Sequence, residues 1–184
     1  MVKNFFKGAF LDRDGVINED LNYVYERRKF IFKKGIFKLL RILCEEKFLI
    51  FIITNQSGIA RGMYSEVQYQ NLTKYYLHIL KQSGISIRKV YHCPHHPDFS
   101  NPPFDNCECR KPKPGLFFKA KNEYNLDMQN SFMLGDSIRD LQAAYLSGIN
   151  KRILLSDKIV NSKFITHKYR NVSDFTKNLS KIIS

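Results

Sequence analysis

The chain has 184 residues, 43% of them hydrophobic, which is enough for one domain with a full core. Thirty Lys and Arg stand against 17 Asp and Glu, a formal net charge of +13. These values exclude a disulfide-stapled miniprotein and a wholly disordered tail. The charge points to an anionic partner (nucleic acid, a membrane surface or a phosphorylated small molecule) or simply to a Lys-rich surface.

Gly8 to Leu11 predicts a short buried strand ending at Asp12. Ile36, Leu39, Leu40, Leu43 and Cys44 share one helix face, which places Cys44 in the core. Phe48 to Ile53 is a continuous apolar run, as in a strand buried on both sides of a parallel sheet. Ser65 and Gln68 have capping-box spacing, and Leu72, Tyr76, Ile79 and Leu80 carry a helical stripe that Gly84 closes. Ile87 to Tyr91 is the next strand. Residues 92–115 are rich in Pro, His, Cys and Asn and lack periodicity; so long a connection is usually functional.

A helix is predicted from about Pro114, a strand over Ser131–Leu134, a helix over Ser137–Leu146 and a last strand over Arg152–Leu155. From Lys158 the tail is polar and basic, with a weak amphipathic helix near its end. No run approaches the roughly 20 apolar residues of a membrane span. Arg and Asp interrupt the N-terminal apolar stretch too early for a signal peptide, so a cytoplasmic protein is expected. Strand–helix alternation at this rhythm predicts an α/β fold, a doubly wound parallel sheet with ligands at the carboxyl ends of its strands.

Three of those strand ends are polar. Asp12 and Asp14 flank Arg13, and two Asp at i and i+2 on extended chain point to the same side. They repel unless a cation lies between them or one holds a proton, which suits one as nucleophile or metal ligand and the other as acid/base. Thr54-Asn55-Gln56-Ser57-Gly58 could cradle a phosphoryl oxygen with a hydroxyl and backbone N–H groups. Gly135-Asp136-Ser137, with Asp140 beyond, adds further carboxylates. Singly, each segment reads equally well as a hydrogen-bonded turn. Together they suit Mg2+ with a phosphate.

Cys93-Pro-His95 and Cys107-Glu-Cys109 are separated by 11 residues. Three thiolates and one imidazole suit a closed, structural Zn2+ site that pins a Pro-rich loop. His96 and, less well, His92 are alternatives to His95, and unliganded or redox cysteines remain open. Arg110-Lys111 follows directly, a bidentate donor and a point charge for phosphate.

These motifs (FLDRDG at 10–15, IITNQSG at 52–58, RKPKPG at 110–115 and MLGDSIRD at 133–140) resemble the haloacid-dehalogenase superfamily of phosphatases over roughly residues 8–150. The resemblance implies that Asp12 attacks phosphorus to form an aspartyl-phosphate. Asp14 would protonate the leaving alkoxide and then activate water. Thr54 and Lys111 would neutralise phosphoryl oxygens, and Asp136 would hold Mg2+ with Asp12 and the backbone carbonyl of Asp14.

Segments 17–36 and 93–115 are similar to the D-glycero-D-manno-heptose bisphosphate phosphatases, including their zinc loop. That likeness implies removal of the 7-phosphate of heptose 1,7-bisphosphate, on the route to nucleotide-activated heptose for lipopolysaccharide core. Asp20, Leu21, Asn22 and Tyr23, together with Thr54, Asn55, Gln56 and Ser57, would contact the sugar bisphosphate, and Arg110 would recognise it. Arg13 and Ser137 complete the expected substrate set; Ser137 stands where some relatives carry Lys. Histidinol-phosphate phosphatases share the zinc design but have a shorter loop and a cationic substrate, which fits this basic chain less well. A polynucleotide 3′-phosphatase and a non-enzymatic zinc-loop nucleic-acid module are further alternatives; the zinc spacing is not that of a finger with a recognition helix.

The expectation is one phosphatase domain over residues 1–184, with the zinc loop at 92–110 and no cap domain. It would act on a phosphorylated sugar as a monomer, with neither nucleic acid nor membrane as partner. Most of the surplus charge, as at Lys33, Lys34, Lys81, Arg88 and Lys89, falls outside the motifs.

Overall fold

The apolar runs assemble into a single sheet in a computed structural model that describes residues 5–183. Met1 to Asn4 and Ser184, part of the expected domain, lie outside the described residues. In chain order the elements are β1 (Phe6–Leu11), α1 (Ile36–Glu45), β2 (Leu49–Asn55), α2 (Glu66–Gln82), β3 (Ile87–Cys93) and α3 (Gly115–Tyr124). β4 (Leu126–Gly135), α4 (Ile138–Leu146), β5 (Lys151–Leu155), β6 (His167–Tyr169), α5 (Val172–Asn178) and α6 (Ser180–Ile183) follow.

All strand pairs are parallel, in the order β3-β2-β1-β4-β5-β6. The chain winds outward from β1 to β3, then crosses to β4 and winds the other way. The switch point therefore lies between β1 and β4, where a sheet of this kind opens a crevice at its carboxyl edge. The expected doubly wound α/β class is what the chain forms.

Alternation along β2 explains the continuous apolar run. Ile50 and Ile52 face one layer with Leu39 and Leu40 of α1, Leu72 and Tyr76 of α2 and Phe175 of α5. Phe51 and Ile53 face the other, with Phe117 of α3 and Leu141 and Ala144 of α4. Ser65 and Gln68 form the expected capping box at the start of α2. Cys44 is only partly buried and packs on the rim of the core rather than within it.

Two elements differ from expectation. β4 begins at Leu126, five residues before the predicted start, because Asp127 and Asn130 form polar turn contacts that mask its first half. The tail is part of the core, not merely a polar appendage. β6 extends the sheet as an edge strand with no buried side chain, so it leaves no alternation to read. α5 then buries Val172 and Phe175, and Leu179 and Ile182 follow. No helix among the described residues is long and apolar enough to cross a membrane.

Candidate active site

Asp12 leaves the end of β1 tied to β4 by its N–H, which donates to the Leu134 carbonyl at 3.0 Å. Its Oδ1 accepts the Arg13 backbone N–H at 2.8 Å and Lys111 Nζ at 2.9 Å. Lys111 is 2% exposed, pairs with Asp140 at 2.6 Å and donates to the Ile53 carbonyl at 2.7 Å. Asn55, at the end of β2, holds the Lys111 backbone in both directions at 3.0 Å. One strand end thus fixes the basic loop over another.

Gly15 has φ +81°, and a Cβ there would lie 1.9 Å from Asp136 Oδ2. Only glycine lets the turn after Asp14 pass against that carboxylate. Ser137 caps α4, and its own N–H donates to Asp140 Oδ2 at 3.0 Å. Asp140 therefore spans the helix N-terminus and Lys111. Its S-x-x-D pattern with Ser137 was the readable signal for this cap.

Oxygens of Asp12, Asp136 and Asp140 lie within 4.8 Å of one another. Burial, then Asp140 and Asp136, push Asp12 up to about 8 against the opposing pull of Lys111. Lost hydration and Asp140 raise Asp136 to about 6. Carboxylates this crowded, with Lys111 as the cation among them, fit a divalent ion with an oxygen donor preference. Asp12 and Asp136 suit that ion; Asp140 is already committed to Lys111 and the helix cap.

These groups line a cleft of about 240 Å³. Asp20, Asn22 and Tyr23 enter it from the loop after β1, Thr54, Asn55, Gln56 and Ser57 from the end of β2, and Asp136 and Ser137 from the turn into α4. Tyr64 and Arg139, absent from the expected set, line it too. Three expected substrate residues are placed otherwise. Arg13 is fully buried and its guanidinium grips Asp14 beneath the cleft, because the residue between two cleft-facing Asp must point the other way. Leu21 is 48% exposed and outside the cleft lining. Arg110 lines an adjoining hollow with Arg139 and donates to the His95 carbonyl at 3.0 Å. Gln56 reaches the cleft, but its amide is engaged by Asp14, Thr54 and Tyr64.

Beside this cleft, Cys93, His95, Cys107 and Cys109 converge. Cys109 Sγ is 3.1 Å from Cys93 Sγ, 3.3 Å from Cys107 Sγ and 3.3 Å from His95 Nδ1, and Cys93 and Cys107 are 3.6 Å apart. A tetrahedron with Zn–S of about 2.3 Å has edges of about 3.8 Å, so the donor set fits zinc with small outward adjustment. All four cysteines are free of disulfides. Both His96 ring nitrogens are used elsewhere, by Arg61 and the Asp98 N–H, and His92 meets Glu66. His95 is the imidazole of the cluster.

A family described as polynucleotide kinase 3 phosphatase matches residues 12–180. A Campylobacter jejuni protein named D-glycero-alpha-D-manno-heptose-1,7-bisphosphate 7-phosphatase is 44% identical over 168 residues, 91% of this chain and 92% of its own. The chain belongs to this phosphatase family. It is a phosphoric monoester hydrolase of haloacid-dehalogenase type. A Yersinia pestis member named for the beta anomer is 46% identical over 147 residues, 79% of this chain and 78% of its own. A D,D-heptose 1,7-bisphosphate phosphatase from B. bronchiseptica, solved with magnesium and phosphate, superimposes with a TM-score of 0.81 at 28% identity, covering 96% of this chain and 99% of that one.

Proposed function

We propose that this phosphatase removes the 7-phosphate of D-glycero-D-manno-heptose 1,7-bisphosphate through an aspartyl-phosphate on Asp12. The observation that carries the chemistry is the Asp12–Lys111–Asp140 array beside Asp14. Asp12 Oδ1 is occupied by Arg13 N–H and Lys111, which leaves Oδ2 to attack phosphorus in line with the leaving O7. As the P–O7 bond breaks, Asp14 gives O7 its proton. A water then attacks the phosphoryl group, Asp14 takes the water's proton, and the bond to Asp12 breaks to release phosphate.

Lys111 supplies positive charge against the phosphoryl oxygens, and Thr54 lines the same cleft from the end of β2. Mg2+, held by Asp12, Asp136 and the Asp14 carbonyl, would supply further charge neutralisation. Asp20, Asn22, Tyr23, Ser57 and Ser137 line the cleft in positions to meet the sugar. Zinc at Cys93, His95, Cys107 and Cys109 would hold the loop that carries Lys111. The reading takes residues 1–184 as one cytoplasmic phosphatase domain that serves heptose activation for lipopolysaccharide core.

Support for the substrate comes from the named relatives; support for the chemistry comes from the cleft. The test is a panel of heptose 1,7-bisphosphate, histidinol phosphate and 3′-phosphorylated DNA, assayed for phosphate release with Mg2+. The reading expects the first to be turned over with the highest kcat/KM. Turnover of DNA alone would sink it.

A further inference from the structure

Beneath the cleft, the Asp14 carboxylate is gripped from three sides. Arg13 Nε donates to its Oδ2 at 3.1 Å, and Arg13 Nη2 lies 2.9 and 2.8 Å from Oδ1 and Oδ2. Asn18 Nδ2 donates to Oδ1 at 2.9 Å, and Gln56 Nε2 to Oδ2 at 3.0 Å. Asp14 keeps only 22% of its side chain exposed, on the cleft side. The gripping groups are themselves held. Arg13 Nη2 also donates to the Val24 carbonyl at 2.8 Å, and its guanidinium carbon lies 5.7 Å from the Tyr69 ring centroid. Tyr64 donates to Gln56 Oε1 at 2.6 Å, and a flipped amide would set Oε1 against the Asp14 carboxylate, an acceptor facing an acceptor.

A fully buried arginine costs a protein much desolvation, and removing its partner leaves an uncompensated charge. The fork of Arg13 fixes both the plane and the direction of one carboxylate. We propose that Arg13 and Gln56, with Tyr64 behind Gln56, are positioning residues that aim Asp14 at the leaving-group oxygen through their hydrogen bonds. This inference rests on the reading of Asp14 as the proton donor. A donor matters in proportion to how badly the leaving oxygen needs its proton. An alkoxide needs it; the phenolate of an acidic phenol leaves without it.

The experiment compares kcat/KM for an alkyl phosphate, the 7-phosphate of the heptose bisphosphate, and for 2,4-dinitrophenyl phosphate. kcat/KM reports the steps up to phosphoryl transfer to Asp12, in which Asp14 acts as the acid. For Arg13→Lys and Gln56→Leu we expect a loss of about 100-fold on the alkyl substrate, the low end of what a positioned acid contributes, and less than about threefold on the aryl one. Tyr64→Phe leaves the buried ion pair intact and should show the same skew at about fivefold, which keeps the test open if Arg13→Lys fails to fold. Equal losses on both substrates, or none, in variants that fold would overturn the inference. Asp14→Asn separates the two claims. Skew in Asp14→Asn with none in the other variants overturns positioning alone. No skew in Asp14→Asn overturns the proton-donor reading and the inference with it.

Discussion

Lys111 and Asp140 form an ion pair at 2.6 Å between two side chains that are each 2% exposed. Lys111 thereby bridges Asp140 and Asp12, and a helix cap is coupled to the proposed nucleophile through one ammonium group. Lys111→Met removes that cation and leaves two carboxylates facing each other. We expect kcat/KM to fall about 100- to 1,000-fold, the usual scale for one preorganised charge in a phosphoryl site. Steady-state kinetics with saturating Mg2+ check this, and a loss under tenfold would contradict it.

Asp140→Asn should act more mildly. Lys111 keeps Asp12 as its partner, while the capping box is weakened. The expected stability loss is about 1–2 kcal/mol by urea titration, with activity reduced because Lys111 is less firmly held.

The raised Asp12 and Asp136 carboxyls fix the sign of a pH effect. In the metal-free protein a carboxyl whose folded pKa lies above its unfolded one stabilises the fold least when ionised. Its penalty grows as pH rises from about 4 through the folded values of about 6 and about 8. Metal-free melting temperature should therefore decline over that window. Mg2+ should restore it, more at pH 8 than at pH 5. Asp12→Asn should flatten the decline and raise the metal-free melting temperature at pH 8 by about 3 °C or more. Calorimetry with and without chelator decides, and a metal-free protein that gains stability toward pH 8 would contradict the account.

Metal analysis should find about one tightly held zinc per chain. Cys109→Ser should lose it and lower activity about tenfold or more, since Lys111 follows two residues on. A zinc-free wild type, purified without chelator, would count against the ligand set.

Removing residues 156–184 should prevent stable folding. Phe175 and Val172 belong to the same buried layer as Leu39 and Leu40, and losing one large core side chain alone costs about 3–5 kcal/mol. Circular dichroism would show the loss; a cooperative melt of the truncated chain would contradict it.

Much of the site could be read from the sequence because its residues end strands whose apolar runs are plain. Asp12, Thr54 and Asp136 each follow such a run, so their convergence follows from a parallel sheet. The Cys/His cluster was legible from ligand spacing, and the geometry keeps His95 in it while His96 bonds elsewhere. What escaped was set by tertiary contacts. β6 is a three-residue edge strand with no buried side chain, and no local pattern marks it. The destination of Arg13 was readable in principle, since alternation turns it away from the side that Asp12 and Asp14 share. Resemblance drew it toward the substrate instead. Gln56 sits on the cleft, and only its three side-chain bonds show that its amide is spent.

The central claim, that Asp12 takes the 7-phosphate while the other phosphate stays in place, is tested most directly by 31P NMR of heptose 1,7-bisphosphate with the holoenzyme. The account predicts that the C7 monoester resonance disappears as inorganic phosphate grows, that the C1 resonance persists, and that Asp12→Asn shows neither change. Loss of the C1 phosphate first, or unchanged turnover by Asp12→Asn, would contradict it.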